Sequence, residues 1–377
     1  MWVKKISAEG FRNLSISDEY FTNGVNIIHG DNAQGKTNIL EAIYFCALGR
    51  SPRADNSREL ICFGKEEAHV QVEVERDDYP FTIDAHIQLT GTKSTKTLSI
   101  DRMVVKNTRE LFGRLMVVLF SPEDLRLIKS GPSERRRFMD MEICQLSPVY
   151  YSDLRDYYRA LKQRNQLLKL LRRDRSQADS LYIWDEQLIK SGLRIMRTRS
   201  AFIAKISDIA RETHKSITSG KETLTLTYQP NIQTPETYHD IMSKSHERDI
   251  ITGTTSKGIH KDDILFTIND IPARNYGSQG QQRTAALSAK LAEIELIRTG
   301  TKTTPVLLLD DVLSELDGNR QRFLLTQIQD LQTILTCTGL EDVLTQNITH
   351  AQTIQIKSGK INKGANEWNI QQTVSKF

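Results

Sequence analysis

The sequence predicts an α/β fold in which a strand-rich head, assembled from both ends of the chain, is interrupted by a helical lobe. Three observations predict this fold. The first third is rich in β-type segments, the middle has helical periodicity and almost no glycine, and a late apolar segment has the length of a buried parallel strand. We therefore expect residues 1–120 and 225–377 to form the head and residues 121–224 to form the helical lobe.

The first third is predicted to consist mainly of strands, interrupted by one helix. The β-type segments are residues 3–6, 25–29, 68–75, 81–89 and 97–100. The helix begins at Lys36 and ends near Leu48, because Gly49 is a favourable stop. After a further strand at 117–120, Ser121 and Pro122 suit the N-cap and the first position of another helix.

The middle third is predicted to form two or three long helices, with a turn at residues 177–180. It also concentrates positive charge in Arg135, Arg136, Arg137, Lys162, Arg164, Lys169, Arg172, Arg173, Arg175, Lys190, Arg194, Arg197 and Arg199. A solvated helical face and a nucleic-acid surface explain this charge equally well. If the surface binds DNA, the candidate contacts are Arg135, Arg136, Arg172 and Arg173.

The last third is predicted to return to β-structure and to close the head. Strands resume at Leu224, and residues 277–280 open a helix that runs to about Leu296. Residues 306–309 then form the continuous apolar segment, as expected of a strand buried in a parallel sheet.

The composition is that of an ordinary globular protein. Of 377 residues, 38% are hydrophobic and 26% are charged, and the formal net charge of +4 is too small to indicate nucleic-acid binding by itself. The 4 cysteines lie far apart without metal-ligand spacing, which argues against a disulfide framework or a zinc site. No apolar run approaches the roughly 18 residues of a membrane span, and the N-terminus leads into a strand pattern, so we expect a cytoplasmic protein without a membrane partner.

A phosphate-binding pattern, GxxxxGK[ST], occurs at Gly30-Asp31-Asn32-Ala33-Gln34-Gly35-Lys36-Thr37. It follows a predicted strand and precedes a helix, which is the context that the motif requires. Backbone N–H groups of such a loop and the helix N-terminus bind phosphate oxygens. We expect Lys36 to reach the β and γ phosphates and Thr37 to bind Mg²⁺. The sequence therefore predicts a site for a nucleoside triphosphate, namely ATP.

Two adjacent carboxylates, Asp310 and Asp311, follow the apolar strand. Carboxylates at the end of a buried strand are costly without a cation, so we expect Asp310 to hold the metal ion. Asp311 is then the candidate base for the attacking water. Taken alone, the pair could also be a surface turn.

A third motif, Tyr276 to Thr284, lies about 25 residues before the aspartates and resembles the signature motif of ABC-type ATPases. The resemblance implies that Ser278 and its neighbours Gln279, Gly280 and Gln281 face the γ-phosphate bound by a second subunit. Asp317 in the segment 314–317 is then expected at the same dimer seam. Without the resemblance, a serine between glycines at a helix start is also a good capping site.

Seven segments occur in one order along the chain: residues 11–13, 30–38, 120–124, 131–138, 258–263, 278–284 and 309–317. Together they resemble bacterial RecF proteins, a family of SMC-like ATPases, from residue 3 to about residue 345. The resemblance implies an ABC/SMC-like P-loop ATPase head with a helical inserted second lobe, which is too short for long coiled coils.

The family resemblance also implies a function in recombinational repair and replication-fork maintenance, with a role in SOS induction. Such proteins bind double-stranded DNA and junctions with single strands, form homodimers on ATP and hydrolyse it slowly with stimulation by DNA. They assist RecO and RecR in loading recombinase at gaps. Carried over by position, Arg12, Asn32, Gly35, Lys36 and Thr37 contact the nucleotide.

Three features of the chain stand apart from these expectations. The switch histidine of ABC ATPases is missing from residues 334–339, where Thr338 is a candidate substitute, and the Q-loop glutamine has no clear counterpart. His260 and Lys261 match the family without an assigned role, and a histidine in an ordinary β-turn is the simplest explanation.

Three alternative functions explain the sequence less fully. A transporter-type ABC ATPase would need a switch histidine and a membrane subunit. An overcoming-lysogenisation nuclease would need an acidic cluster after residue 349, and a P-loop kinase would leave residues 277–283 unexplained.

Overall fold

A computed structural model describes residues 1–76, 79–91, 93–339 and 351–362. The strands are β1 (Trp2–Glu9), β2 (Ser15–Tyr20), β3 (Val25–His29), β4 (Glu67–Glu75), β5 (Phe81–Thr90), β6 (Lys93–Ile100), β7 (Met103–Val104), β8 (Val117–Phe120), β9 (Leu224–Gln229), β10 (Asp263–Ile268), β11 (Ile271–Pro272), β12 (Val306–Asp310), β13 (Thr333–Cys337), β14 (Gln352–Lys357) and β15 (Lys360–Ile361). The helices are α1 (Lys36–Leu48), α2 (Arg126–Lys129), α3 (Pro132–Leu146), α4 (Pro148–Leu171), α5 (Leu181–Ile217), α6 (Tyr238–Thr252), α7 (Ala273–Tyr276), α8 (Gln279–Thr301) and α9 (Gly318–Gln327).

The chain divides into two compact units, and the division differs from the one that the sequence predicts. Unit 1 comprises Met1–Asp124 and Ile297–Phe377, and unit 2 comprises Leu125–Leu296. Residues 225–296 therefore belong to the helical unit, although the sequence assigns them to the head. The reason is that β9, β10 and β11, the first three strands after α5, do not join the parallel sheet; they form a small antiparallel sheet whose strand β9 packs on α5.

Unit 1 contains two sheets with α1 packed against strands of both. The first sheet is antiparallel, with the order β2-β1-β4-β5-β6-β7, and the second has the order β15-β14-β3-β13-β12-β8. Helix α1 contacts β4 and β5 of the first sheet and β8, β12 and β13 of the second. Because it is enclosed on both sides, most of its residues are buried and its sequence lacks a polar face.

The second sheet of unit 1 brings the sequence motifs to one edge. Its strands β14, β3, β13, β12 and β8 are parallel neighbours, so their carboxyl ends lie at the same edge. The phosphate-binding loop follows β3, and the aspartate pair follows β12. In open parallel sheets this edge is the usual ligand-binding side.

Unit 2 is built around the long helices α4 and α5, which pack on each other and are connected through the predicted turn at residues 177–180. Beside them lie α6, α3 and the sheet β11-β10-β9. None of the described helices is long and apolar enough to span a membrane.

Most local predictions in unit 1 are confirmed, including α1 with its stop at Gly49 and the parallel strand β12. Some details differ. Strands β2, β7, β13, β14 and β15 were not predicted, and the helix expected after Ser121 begins as a short 3₁₀ turn, Pro122–Leu125, that continues into the short helix α2. There the Asp124 carboxylate accepts a hydrogen bond from the Ser121 N–H, so the aspartate closes the turn.

Candidate nucleotide-binding site

The phosphate-binding loop lies between β3 and α1, as predicted, and holds a buried lysine. Lys36 Nζ donates hydrogen bonds to the carbonyl oxygens of Gly30, at 2.6 Å, and Asp31, at 3.0 Å. The ammonium therefore lies inside the curve of the loop, beside a helix N-terminus that favours anions. A buried cation with neutral carbonyl partners is stabilised further by a phosphate oxygen, so the loop fits a nucleotide phosphate.

Of the other loop residues, three are exposed and one is hydrogen-bonded to a neighbouring hairpin. Asp31, Asn32 and Ala33 are exposed at the rim. Gln34 is partly buried, and both its side-chain oxygen and its carbonyl oxygen accept hydrogen bonds from the β14–β15 turn. Its side-chain oxygen and its carbonyl oxygen are therefore both engaged within unit 1.

Two oxygen ligands meet at the end of β12. Thr37 Oγ1 donates to Asp310 Oδ1 at 2.7 Å, which joins the first turn of α1 to the strand end. Hydroxyl and carboxylate oxygens are ligands that Mg²⁺ accepts, and Mg²⁺ bound with a nucleotide typically uses few protein ligands, plus phosphate oxygens and water. The pair therefore fits a magnesium ion that accompanies the triphosphate.

A further hydroxyl, which sequence reasoning missed, connects the two aspartates. Thr336 is buried near the end of β13, where its Oγ1 donates to Asp310 Oδ1 at 2.9 Å and accepts from the Asp311 N–H at 3.0 Å. Thr338, the predicted substitute for the missing histidine, is exposed two residues later. The available signal was the polar residue within an apolar strand, since β13 pairs with β12 and places Thr336 beside Asp310.

Asp311 has a strained backbone and a perturbed carboxyl group. Its φ is 52°, a left-handed conformation that a non-glycine residue seldom adopts, and its carbonyl accepts from Ser314 Oγ at 2.8 Å. Burial raises the pKa of Asp311, the Lys36 ammonium opposes this shift and the Asp310 carboxylate adds to it. A carboxylate with a raised pKa is a stronger proton acceptor, as a base for water requires.

Arg12, whose contact with the nucleotide stays a prediction, pairs with a buried glutamate on α1. Its Nε and Nη2 donate to the Glu41 carboxylate, each at 3.0 Å, and Arg53 donates to the same carboxylate. Burial would raise the pKa of Glu41, but hydrogen bonds from Arg12 and Ser51, together with Arg53, hold it below the ordinary value. Arg53, a second arginine beside the loop, was not singled out by the sequence prediction; it also donates to Asn38 Oδ1 at 2.6 Å.

The signature-like segment lies in unit 2 and begins α8. The Ser278 N–H donates to Gln281 Oε1 at 2.9 Å, and the Gln281 N–H donates to Ser278 Oγ at 3.2 Å. This reciprocal pattern is a capping box, so the capping role is present. Ser278 and Gln279 are exposed and Gly280 is partly exposed, which leaves the segment accessible to a second molecule.

Asp317 of unit 1 caps the next helix in a similar way. Its Oδ1 accepts from the N–H groups of Asn319, at 3.1 Å, and Arg320, at 3.0 Å, at the start of α9. These hydrogen bonds lower the pKa of Asp317, and the bond from the Arg320 N–H has the largest effect. The aspartate is thus a helix cap within its own subunit, and its place at a dimer seam stays a prediction.

The basic residues of the middle third do not form one surface. Arg135 is buried and donates to both Asp263 oxygens, at 2.6 and 3.0 Å, so a DNA contact at Arg135 does not fit the structure. Arg164 and Arg199 are also fully buried in ion pairs with aspartates. Arg136 is partly exposed, with Nη1 on the Asp262 carbonyl oxygen at 2.8 Å.

Arg172 and Arg173 remain available, because both are exposed at the end of α4. Lys169, one turn earlier, is also exposed. The end of the helical hairpin therefore presents exposed positive charge to a phosphate backbone, although Arg175 at the same end pairs with Glu247 and Arg194 farther along pairs with Asp153.

The segment 258–263 forms a buried polar junction in unit 2. His260 Nε2–H donates to the Thr255 carbonyl at 3.0 Å and Nδ1 accepts from Tyr157 Oη at 2.8 Å, so the ring is a neutral tautomer. Burial lowers the pKa of His260 to about 4. Gly258, at φ 132°, cannot be replaced easily, since a Cβ atom would lie 2.3 Å from Tyr157 Oη. This junction is structural, and Lys261 is its exposed member.

Comparisons with known proteins agree with this fold. The family model described as RecF/RecN/SMC N terminal domain matches residues 2–363. The DNA replication and repair protein RecF of Lachnoclostridium phytofermentans is 46% identical over 364 residues, covering 97% of this chain and 100% of the relative. RecF of Clostridium kluyveri is 40% identical, covering 96% of this chain and 100% of the relative.

The solved structures lead to the same family. The structure of the recombination mediator protein RecF-ATP in the RecFOR pathway has a TM-score of 0.89 at 34% identity, covering 96% of this chain and 97% of that one. An Smc head domain from Pyrococcus furiosus, at 17% identity with a TM-score of 0.53, shares the fold alone. The protein is therefore an SMC-like P-loop ATPase head with a helical second lobe. More specifically, the chain belongs to the RecF family of DNA replication and repair proteins.

Proposed function

We propose that this protein is an ATP-dependent DNA-binding protein of recombinational repair and replication-fork maintenance. One observation supports the proposal most strongly: Lys36, Thr37, Asp310 and Thr336 meet at the carboxyl edge of the parallel sheet of unit 1. The similar solved structure is one of RecF-ATP, and by that similarity we assign ATP to this edge. The oxygen ligands of Thr37 and Asp310 support Mg²⁺ as the accompanying ion.

Each residue of the site has a distinct task in the proposed mechanism. Lys36 and the loop N–H groups bind and orient the phosphates. Thr37 and Asp310 supply oxygen ligands for Mg²⁺, which neutralises charge on the phosphates when bound. Asp311 orients the attacking water and accepts its proton, and Thr336 fixes the orientation of both aspartates. By its family, the protein would hydrolyse ATP slowly with stimulation by DNA, as a switch at a site that a second subunit completes.

ATP binding is proposed to control a homodimer. Ser278, Gln279, Gly280 and Gln281 would face the nucleotide of the second subunit, and Asp317 would lie at the same seam. The exposure of Ser278 and Gln279 at the start of α8 supports this, because the N-terminus of a helix is a favourable site for phosphate.

The proposed nucleic-acid ligand is double-stranded DNA, including junctions with single strands. Arg172, Arg173 and Arg136 are its candidate contacts, and the exposure of the first two supports them. By its family, the protein would assist RecO and RecR in loading recombinase at gaps, and take part in SOS induction, in the cytoplasm.

Two variants test the nucleotide and dimer assignments separately. Lys36→Met removes the phosphate-binding cation, so we expect weaker ATP binding and no ATP-induced dimer in analytical ultracentrifugation. Ser278→Arg places a bulky side chain at the proposed interface, so ATP binding should persist while dimerisation is lost. Unchanged ATP-induced dimers in Lys36→Met would contradict the assignment of the loop, and unchanged dimers in Ser278→Arg would contradict the signature assignment.

A further inference from the structure

The turn between β14 and β15 lies directly against the phosphate-binding loop. The Ser358 N–H donates to Gln34 Oε1 at 2.6 Å, and the Gly359 N–H donates to the Gln34 carbonyl oxygen at 2.9 Å. Both turn residues have positive φ, 50° and 74°, as in the tight hairpin turns that point consecutive N–H groups outward. One loop residue, Gln34, is therefore held by two neighbouring backbone donors from a hairpin more than 300 residues later in the chain.

The hairpin fits the loop too closely for any added atom. A Cβ atom on Gly359 would lie 1.8 Å from the carbonyl oxygen of Asn13, and a Cβ on Gly30 would lie 2.4 Å from the carbonyl oxygen of Ile356 on β14. Such distances are far below van der Waals contact, so a side chain at either position displaces backbone. The Gly359 carbonyl also accepts from the Ser15 N–H at 2.9 Å, which fixes the turn on its other side.

Asn13 links the same turn to the loop by a second route. Its side chain donates to the Ala33 carbonyl at 3.3 Å and accepts from Asn38 Nδ2 at 2.8 Å. Displacement of Asn13 by a side chain at residue 359 would therefore reach the middle of the loop, at Ala33, and the first turn of α1, at Asn38. The loop thus has two supports outside its own strand and helix, the hairpin turn at Gln34 and Asn13 at Ala33 and Asn38.

We propose that the Ser358–Gly359 turn is a positioning element of the nucleotide site, which holds the phosphate-binding loop in its binding conformation through Gln34 and Asn13. The inference rests on the proposed function of the loop in ATP binding. Its physical basis is preorganisation: a loop fixed before the ligand arrives loses less conformational entropy on binding. Gln34 is accordingly a positioning residue, because the turn holds both its side-chain oxygen and its carbonyl oxygen.

The test compares the full-length protein with three variants. Gly359→Ala introduces the clash with Asn13, and Gln34→Met keeps the side-chain length but removes the acceptor for Ser358. Gly64→Ala is the matched control, since Gly64 also has a positive φ, 83°, in unit 1 but no atom of the described residues within 4 Å of an added Cβ. ATP dissociation constants are measured by equilibrium titration with a fluorescent analogue, together with hydrogen exchange of residues 30–37 and 306–310 without nucleotide.

We expect Gly359→Ala to weaken ATP binding about tenfold or more and Gln34→Met about fivefold, with Gly64→Ala unchanged. Hydrogen exchange should become faster in residues 30–37 but not in the strand at 306–310. A general loss of stability would instead raise exchange in both segments. Gln34→Met decides the question even if Gly359→Ala does not fold: unchanged affinity or unchanged loop exchange in this variant overturns the proposal. Equal weakening in Gly64→Ala also overturns it, whereas absence of ATP binding by the native protein refutes the proposed function instead.

Discussion

Replacement of Thr336 by valine tests whether the aspartate pair is oriented for hydrolysis by the neighbouring strand. Valine has nearly the same shape as threonine, so the change removes the hydroxyl without opening a large cavity. Asp310 loses a charge-assisted hydrogen bond of 2.9 Å, and the Asp311 N–H loses its acceptor at 3.0 Å. Both losses occur at a side chain that is 3% exposed, so water cannot readily replace the hydroxyl.

The expected fall in the rate of ATP hydrolysis follows from the loss of these two hydrogen bonds. A hydrogen bond to a charged group contributes about 1.5–3 kcal/mol, and each 1.4 kcal/mol in the activation free energy changes the rate about tenfold. We therefore expect the single-turnover rate of ATP hydrolysis to fall about 10- to 100-fold. The ATP dissociation constant should change by less than about threefold, because Lys36 and the loop N–H groups are untouched.

The control is a threonine in the same sheet whose hydroxyl has no hydrogen-bond partner among the described residues. Thr353 on β14 is also 3% exposed, and its Oγ1 is buried and unpaired within that part of the chain. Thr353→Val should leave hydrolysis unchanged, because it removes only an unsatisfied polar group. Equal hydrolysis rates in Thr336→Val and Thr353→Val would refute the role assigned to Thr336.

Two further predictions concern unit 2. Charge reversal by Arg172→Glu and Arg173→Glu should weaken DNA binding and lower its salt slope by about one unit per lost phosphate contact, measured by fluorescence anisotropy at several salt concentrations; an unchanged slope would mean that the charge is only solvated. For His260, the pKa of about 4 in the folded protein lies below the ordinary value of 6.5. Between these two pH values the unfolded state binds more protons than the folded state, so the free energy of unfolding falls as the pH falls from 6.5 to 4. That contribution is at most about 3 kcal/mol, and His260→Gln should flatten the pH dependence of the urea midpoint between pH 6.5 and 4, whereas an equal slope would exclude the histidine as a source.

Local sequence patterns were sufficient for the elements that carry the nucleotide site. The strand before Gly30, the helix after Gly35 and the apolar strand before Asp310 each follow from contiguous residues, and the structure has all three. Thr336 was missed because its importance arises from register: β13 places it beside Asp310 only when the two parallel strands pair.

Whether the basic residues are exposed or buried in ion pairs could not be predicted from the sequence, for a different reason. Arg135 pairs with Asp263, which lies 128 positions later, and Arg199 pairs with Asp262, 63 positions later. Helical periodicity places a residue on a face but does not say what packs against that face. A run of arginines therefore looks the same whether it faces solvent or a carboxylate supplied by a distant segment.

The distant ion pairs distinguish two kinds of family-like segment in the chain, those that stabilise unit 2 and those that form the nucleotide site. Residues 131–138 and 258–263 meet in unit 2, where Arg135 holds Asp263 and Arg199 holds both Asp262 and the Ile259 carbonyl. The Arg135–Asp263 pair links the two segments, so each constrains the other through folding. The Arg199–Asp262 pair is buried on both sides, and removal of one of its partners leaves an uncompensated charge, commonly at a cost of about 3–5 kcal/mol. Residues 30–38 and 309–317 meet instead at the nucleotide site of unit 1. Consequently, substitutions in residues 131–138 and 258–263 should lower the stability of the fold, and substitutions in residues 30–38 and 309–317 should change the binding or hydrolysis of ATP.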